Sequence, residues 1–121
     1  MIDFTSEQLT RYLDEDTGGR VAMLNLLRFK PDGGRERYLE YAAAIAAVGE
    51  RYGAEPLFVG FGRRALVADV GQEWDAVAVV SYPSRRAFAE MIRDPEYQAA
   101  AHLRSEALLE ATLQPTDPMI G

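Results

Sequence analysis

The sequence predicts an α+β fold: an antiparallel four-stranded sheet with both main helices on one face and a leader helix in front. Three observations carry this. Val21 to Phe29 is an apolar run of strand character, interrupted only by Asn25 and Arg28. Arg35 to Tyr52 places Tyr38, Tyr41, Ala42, Ile45 and Val48 at helical spacing. Trp74 to Tyr82 is a second β-branched, apolar run that stops at Pro83, and Ser84 follows as a helix cap.

The elements follow in order. Thr5-Ser6-Glu7-Gln8 has the form of a capping box, so a short helix is expected from there to about Glu15, with Leu9, Tyr12 and Leu13 on one face. Gly18-Gly19 stops it. The strand Val21–Phe29 is apolar on both faces, with Val21, Met23, Leu27 and Phe29 on one and Ala22, Leu24 and Leu26 on the other. Pro31-Asp32-Gly33-Gly34 turns into the long helix, which Gly53 ends in the left-handed conformation. Pro56 to Val70 reads as a long extended stretch, and Gly60 and Gly62 within it suggest a bulge or a close backbone approach. Gly71-Gln72-Glu73 reads as a hairpin loop before Trp74–Tyr82. Ser84 to Arg93 is the second major helix, and Pro95 suits the first turn of another. Leu108 to Gln114 reads as a final strand, equally compatible with continued helix, and Pro115 and Pro118 end the regular structure.

After the leader helix the order is β-α-β-β-α-β, the ferredoxin-like split unit. Its helices cover one face of the sheet. The other face is also apolar; the leader helix covers part of it, and a second copy of the sheet covers it better. A homodimer is therefore expected. The organisation reads as one domain over 1–121, with a leader helix (1–19), a barrel half (20–114) and a tail (115–121).

Several phrases carry a resemblance: Met23-Leu24-Asn25-Leu26-Leu27-Arg28-Phe29, the glycines of Val59-Gly60-Phe61-Gly62, Trp74, and Tyr82-Pro83-Ser84 through Asp94-Pro95-Glu96-Tyr97. On these the chain resembles the bacterial family called domain of unknown function 1330, within the dimeric α+β barrel superfamily, over about residues 20 to 114. The resemblance implies a homodimer whose two sheets enclose a cavity. The superfamily includes cofactor-free monooxygenases, haem-degrading enzymes, isomerases and polyketide cyclases, so the fold alone leaves the activity open.

Composition narrows the rest. A net charge of -6 and a pI near 4.8 argue against nucleic acid and anionic membranes as partners. With no cysteine there is no disulfide, thiolate nucleophile or iron–sulfur cluster. One histidine leaves too few ligands for a typical zinc site, so neither metal nor other cofactor is expected. No basic n-region opens the chain, and no apolar run approaches the ~20 residues of a membrane span. It reads as a cytoplasmic protein.

The candidate catalytic residues are Asn25, Asp75 and His102. Asn25 is the polar side chain on an otherwise apolar strand face; its amide either polarises a ligand carbonyl or oxyanion, or ties strand ends or a loop together. Asp75, beside an apolar face, is a base if buried and a solvated strand-end carboxylate if not. His102 can move protons near neutral pH, with Glu106 four residues on to orient it, or it is a surface helix histidine. Met23, Phe61 and Trp74 are the candidate walls of a cavity, with Arg28, Arg64 and Tyr97 as further substrate-binding candidates; Arg28 and Arg64 read equally as solvated, and Tyr97 as a packing anchor. No nucleophile elbow and no phosphate loop is present. The expected function is binding of a small apolar ligand, in a cofactor-free enzyme acting on a carbonyl-containing metabolite, or in a non-catalytic dimeric module whose barrel is filled by its own side chains.

Overall fold

The computed structural model describes residues 2–119; Met1 and the last two residues of the expected tail lie outside the described residues. The order is α1 (Ser6–Asp14), β1 (Val21–Phe29), α2 (Gly34–Arg51), β2 (Glu55–Phe61), β3 (Ala76–Tyr82), α3 (Arg85–Arg93), α4 (Pro95–Ala107) and β4 (Leu108–Thr116). The four strands form one antiparallel sheet in the order β2-β3-β1-β4, the ferredoxin-like arrangement.

Local chemistry sets the helix starts. Thr5 and Gln8 close the capping box, at 3.1 Å from the Gln8 amide to Thr5 Oγ1 and 2.8 Å from the Thr5 amide to Gln8 Oε1. Ser84 Oγ accepts from the Ala87 amide, and Asp94 Oδ1 from the Glu96 amide, with Pro95 opening α4. Gly53 ends the long helix with φ +79°.

Register assigns the faces. Asn25 pairs with Ala78 and with Leu113, so Val21, Met23, Asn25, Ala78, Val80, Tyr82 and Leu113 share the helix-covered face. Leu24, Leu26, Val77, Val79 and Phe58 share the other. α1 packs on the helix side: Leu9 belongs to the core cluster of Val21, Met23, Tyr82 and Phe88. The leader helix thus leaves the open face bare, contrary to expectation.

Four other expectations are corrected. β2 ends at Phe61, and 62–75 carries no strand, although it contains Leu66, Val67 and Val70; these are fully exposed and find no ladder partner. β3 begins at Ala76, leaving Trp74 and Asp75 in the connection. The bulge in β2 lies between Pro56 and Phe58, not at Gly60. Gly62 is instead the close approach, where a β-carbon would collide with the Trp74 carbonyl oxygen. Finally, β4 runs through Pro115, which pairs with Met23; on this edge strand a missing N–H breaks no second ladder.

Candidate functional site: a cavity between sheet and helices

A cleft of about 700 Å³ lies between the sheet and its own helices. Met23, Asn25, Ala78, Val80 and Leu113 form its floor. Tyr38, Tyr41 and Ile45 of α2, Tyr97, Gln98, Ala101 and Arg104 of α4, and Phe88 and Met91 of α3 form the walls. Ile2, Asp3 and Phe4 of the N-terminal arm complete it. The resemblance implied a cavity between two sheets; this one is on the opposite face, within one chain.

Each wall residue has a local reason for its aim. Tyr97, Ala100, Arg104 and Ala107 recur every three or four residues along α4 and all point inward. The Asp94-Pro95-Glu96 turn fixes where α4 begins. Tyr52 Oη donates to Asp94 Oδ2 at 2.7 Å, and that bond, aided by the Glu96 amide, holds the Asp94 carboxyl below the usual aspartate range. Tyr97 is thereby held against Tyr41, hydroxyl to hydroxyl at 2.7 Å.

The cavity's phenols are kept neutral. Burial pushes those of Tyr38, Tyr41, Tyr82 and Tyr97 up, and the Arg104 charge pulls Tyr38, Tyr41 and Tyr97 only partly back. They are hydroxyl donors and acceptors at physiological pH, not bases. Arg104 donates through Nη1 to the Ile2 carbonyl and, at 2.9 Å, to Asp3 Oδ1.

Three of the nine residues singled out from the sequence meet here: Met23, Asn25 and Tyr97. Of the two expected roles of Asn25, its donor end takes the tying one. Its Nδ2 donates to the carbonyls of Met23 (3.2 Å) and Ala78 (3.5 Å), so the donor end is tied to the backbone. Its Oδ1 has no partner among the described residues and is not sealed from the cavity. The free end is an acceptor.

The other six lie elsewhere. Arg28 stacks 4.9 Å over Trp74 and holds the 62–75 connection through the carbonyls of Gly71 and Glu73, with Glu110 at 3.2 Å. Asp75 is exposed and its Oδ2 accepts from the Phe29 amide at 2.8 Å, which pins that connection to β1. Phe61 lies under the Arg35 guanidinium, 3.7 Å from the ring centre, in a shallow recess shared with Arg64. His102 is 62% exposed on the outer side of α4, 3.9 Å from Glu106. Tyr38, Tyr41 and Arg104 were missed as site residues. Helical spacing placed the two tyrosines on one face; the i, i+7 step from Tyr97 to Arg104 was the signal for the third.

Comparison with known proteins fits this architecture. The profile of the family "Domain of unknown function (DUF1330)" matches residues 33–113. The chain belongs to this family. A DUF1330 chain of this kind is 34% identical to the protein RPA0582 of Rhodopseudomonas palustris, a protein of unknown function, over 99% of this chain and 98% of that one, with a TM-score of 0.89. A dimeric ferredoxin-like protein of unknown function from Jannaschia is 12% identical over 83% of this chain and all of its own, with a TM-score of 0.64. A candidate antibiotic biosynthesis monooxygenase from Caulobacter crescentus is 15% identical over 91% of this chain and 99% of its own, with a TM-score of 0.61. The last two share the fold alone. No curated protein matches the chain. No helix among the described residues is long and apolar enough to cross a membrane.

Proposed function

We propose that this DUF1330 protein is a homodimeric binder of a small, flat, largely apolar molecule carrying carbonyl or hydroxyl oxygens. The observation that carries the reading is the cleft itself: about 700 Å³ of space, walled by aromatic and aliphatic side chains, with a few polar atoms aimed into it. An open cleft of this lining supports a ligand within one chain, whatever fills the space between two sheets. Neutral phenols suit a carbonyl, and the Asn25 acceptor suits a hydroxyl. Binding is favoured over acid–base catalysis, because the phenols are shifted away from neutral pH, Asp3 is tied to Arg104, and His102 lies outside.

The dimer reading rests on the uncovered sheet face. Leu24, Leu26, Val77 and Val79 are only half-buried there, and Phe58 is 59% exposed. Dimeric relatives of the same fold add support.

The test is titration of the protein with the neutral probe 1-naphthamide, following the methyl resonances of Met23 and Met91. Both are expected to shift saturably. Ala101→Phe, which fills the cleft from α4, is expected to abolish the shift. Wild-type protein that leaves both methyls unmoved at millimolar concentrations of this probe and of its carboxylate analogue 1-naphthoate sinks the reading.

A further inference from the structure

We infer that Arg104 makes the cavity a site for an oxyanion, and that the ligand is an aromatic carboxylate. This rests on the reading of the cleft as a binding pocket and names the class of molecule it takes.

Arg104 combines two properties that rarely coexist without a partner. Its side chain is 91% buried, with 9% of its surface exposed. A guanidinium withdrawn from water requires compensation for its charge and its N–H groups. It carries five N–H donors. Nη1 uses its two on the Ile2 carbonyl and Asp3 Oδ1. The three on Nε and Nη2 have no partner among the described residues. They are not sealed in protein either: among the described residues, the one enclosed side-chain polar atom without a partner is Tyr12 Oη. Arg104 lines the cleft, and its unpartnered N–H groups are available to a molecule bound there.

The charge balance points the same way. Asp3 is the one carboxylate in ion-pair range of Arg104 among the described residues, and its side chain is 60% exposed on the N-terminal arm. A water-screened carboxylate compensates weakly. The arm therefore leaves the guanidinium only half satisfied. The planar fork matches a carboxylate, which can take two parallel N–H bonds. Tyr38, Tyr41 and Tyr97 surround the charge closely enough for it to act on their phenols, and their rings offer faces to an aryl group.

The experiment compares 1-naphthoate with 1-naphthamide by calorimetry on the intact protein. The two differ in charge and scarcely in shape. Naphthoate is expected to bind at least about tenfold more tightly, with the preference shrinking as salt is raised. Arg104→Gln is expected to bring the two within about twofold. Because Arg104 also holds Ile2 and Asp3, that variant is first checked for cooperative melting. Asp3→Asn removes the competing carboxylate from an exposed position and is expected to raise naphthoate affinity about threefold or more, and more than it changes naphthamide affinity. Equal binding of the two probes to wild-type protein overturns the inference while leaving the pocket reading intact. An unchanged naphthoate affinity in Asp3→Asn overturns it too, even if Arg104→Gln does not fold. Failure of both probes to bind removes the pocket and the inference together.

Discussion

The two faces of the sheet are built from the same strands and differ in what they enclose. On the helix side the strands carry Met23, Asn25, Ala78 and Tyr82, three of them nearly buried, and the space above them holds phenols and a guanidinium. On the open side the same strands carry Leu24, Leu26, Val77 and Val79, half-buried, with Phe58 beside them. One face borders an enclosed space with polar atoms at a few points. The other is a continuous apolar surface of the kind that meets another protein surface. Alternation along β1 lets both designs occupy nine residues, because every one-residue step changes face.

The sharpest way to break that comparison is to charge the open face. Leu26→Arg puts an unpaired charge at its centre. The dimer dissociation constant is expected to rise at least about 100-fold, giving a monomer at micromolar concentration by light scattering. A dimer that survives unweakened would mean the open face is not the interface.

Truncations in the Leu26→Arg monomer then sharpen the contrast. Met23→Ala removes one of the largest fully buried side chains and is expected to cost about 2–4 kcal/mol. Leu24→Ala, one residue along and on the other face, is expected to cost about 1 kcal/mol or less, because its side chain already meets water there. Urea denaturation measures both. Similar costs would mean that both faces are packed alike in the monomer.

The sheet was more legible in the sequence than the site, for a physical reason. Caps and strand stops are local: Thr5 with Gln8, Ser84 with Ala87 and Pro83 after Tyr82 act within a few residues. The connection 62–75 misled because Leu66, Val67 and Val70 have strand-like composition, and composition does not reveal whether a ladder partner exists. The same reasoning draws Trp74 and Asp75 into β3, although the strand begins at Ala76 and Asp75 only extends its backbone bonds to Leu27 and Gly62. The site depends on tertiary placement. Asn25 stood out because one strand face was otherwise apolar. Arg104 did not, because an arginine on a helix reads as solvated until its neighbours Tyr97, Ala100 and Ala107 are seen to share its face.

A smaller effect separates the two ends of the Asn25 amide. Asn25→Leu removes two long hydrogen bonds to the Met23 and Ala78 carbonyls, so a loss of about 1 kcal/mol or less is expected in thermal melting. The free Oδ1 should matter more to a ligand hydroxyl. Binding of 1-naphthol is expected to weaken about tenfold relative to 1-methylnaphthalene, the scale of one lost hydrogen bond in a dry site. A loss of several kcal/mol in stability, with the ratio of the two affinities unchanged, would make Asn25 a structural tie only.

The smallest expected effect belongs to His102, whose chemistry made it conspicuous in the sequence. Near neutral pH an imidazole is the readiest proton carrier, and a carboxylate one helical turn away can orient it. The structure supplies that carboxylate, Glu106, but at 3.9 Å, and both side chains are at least half exposed. An exposed i,i+4 pair contributes about 0.3–0.5 kcal/mol at most. Position along α4 decides the rest. Ala101 and Arg104 line the cleft, whereas His102 falls two residues short of Arg104, roughly 200° around the helix axis from it. His102→Ala is therefore expected to shift the melting free energy by less than about 0.5 kcal/mol and to leave 1-naphthoate affinity within twofold of wild type. Calorimetry of the variant between pH 5.5 and 8 is the check. An affinity that loses its pH dependence when His102 is removed would bring that side of α4 into the site and blur the division between an enclosing face and an outer one.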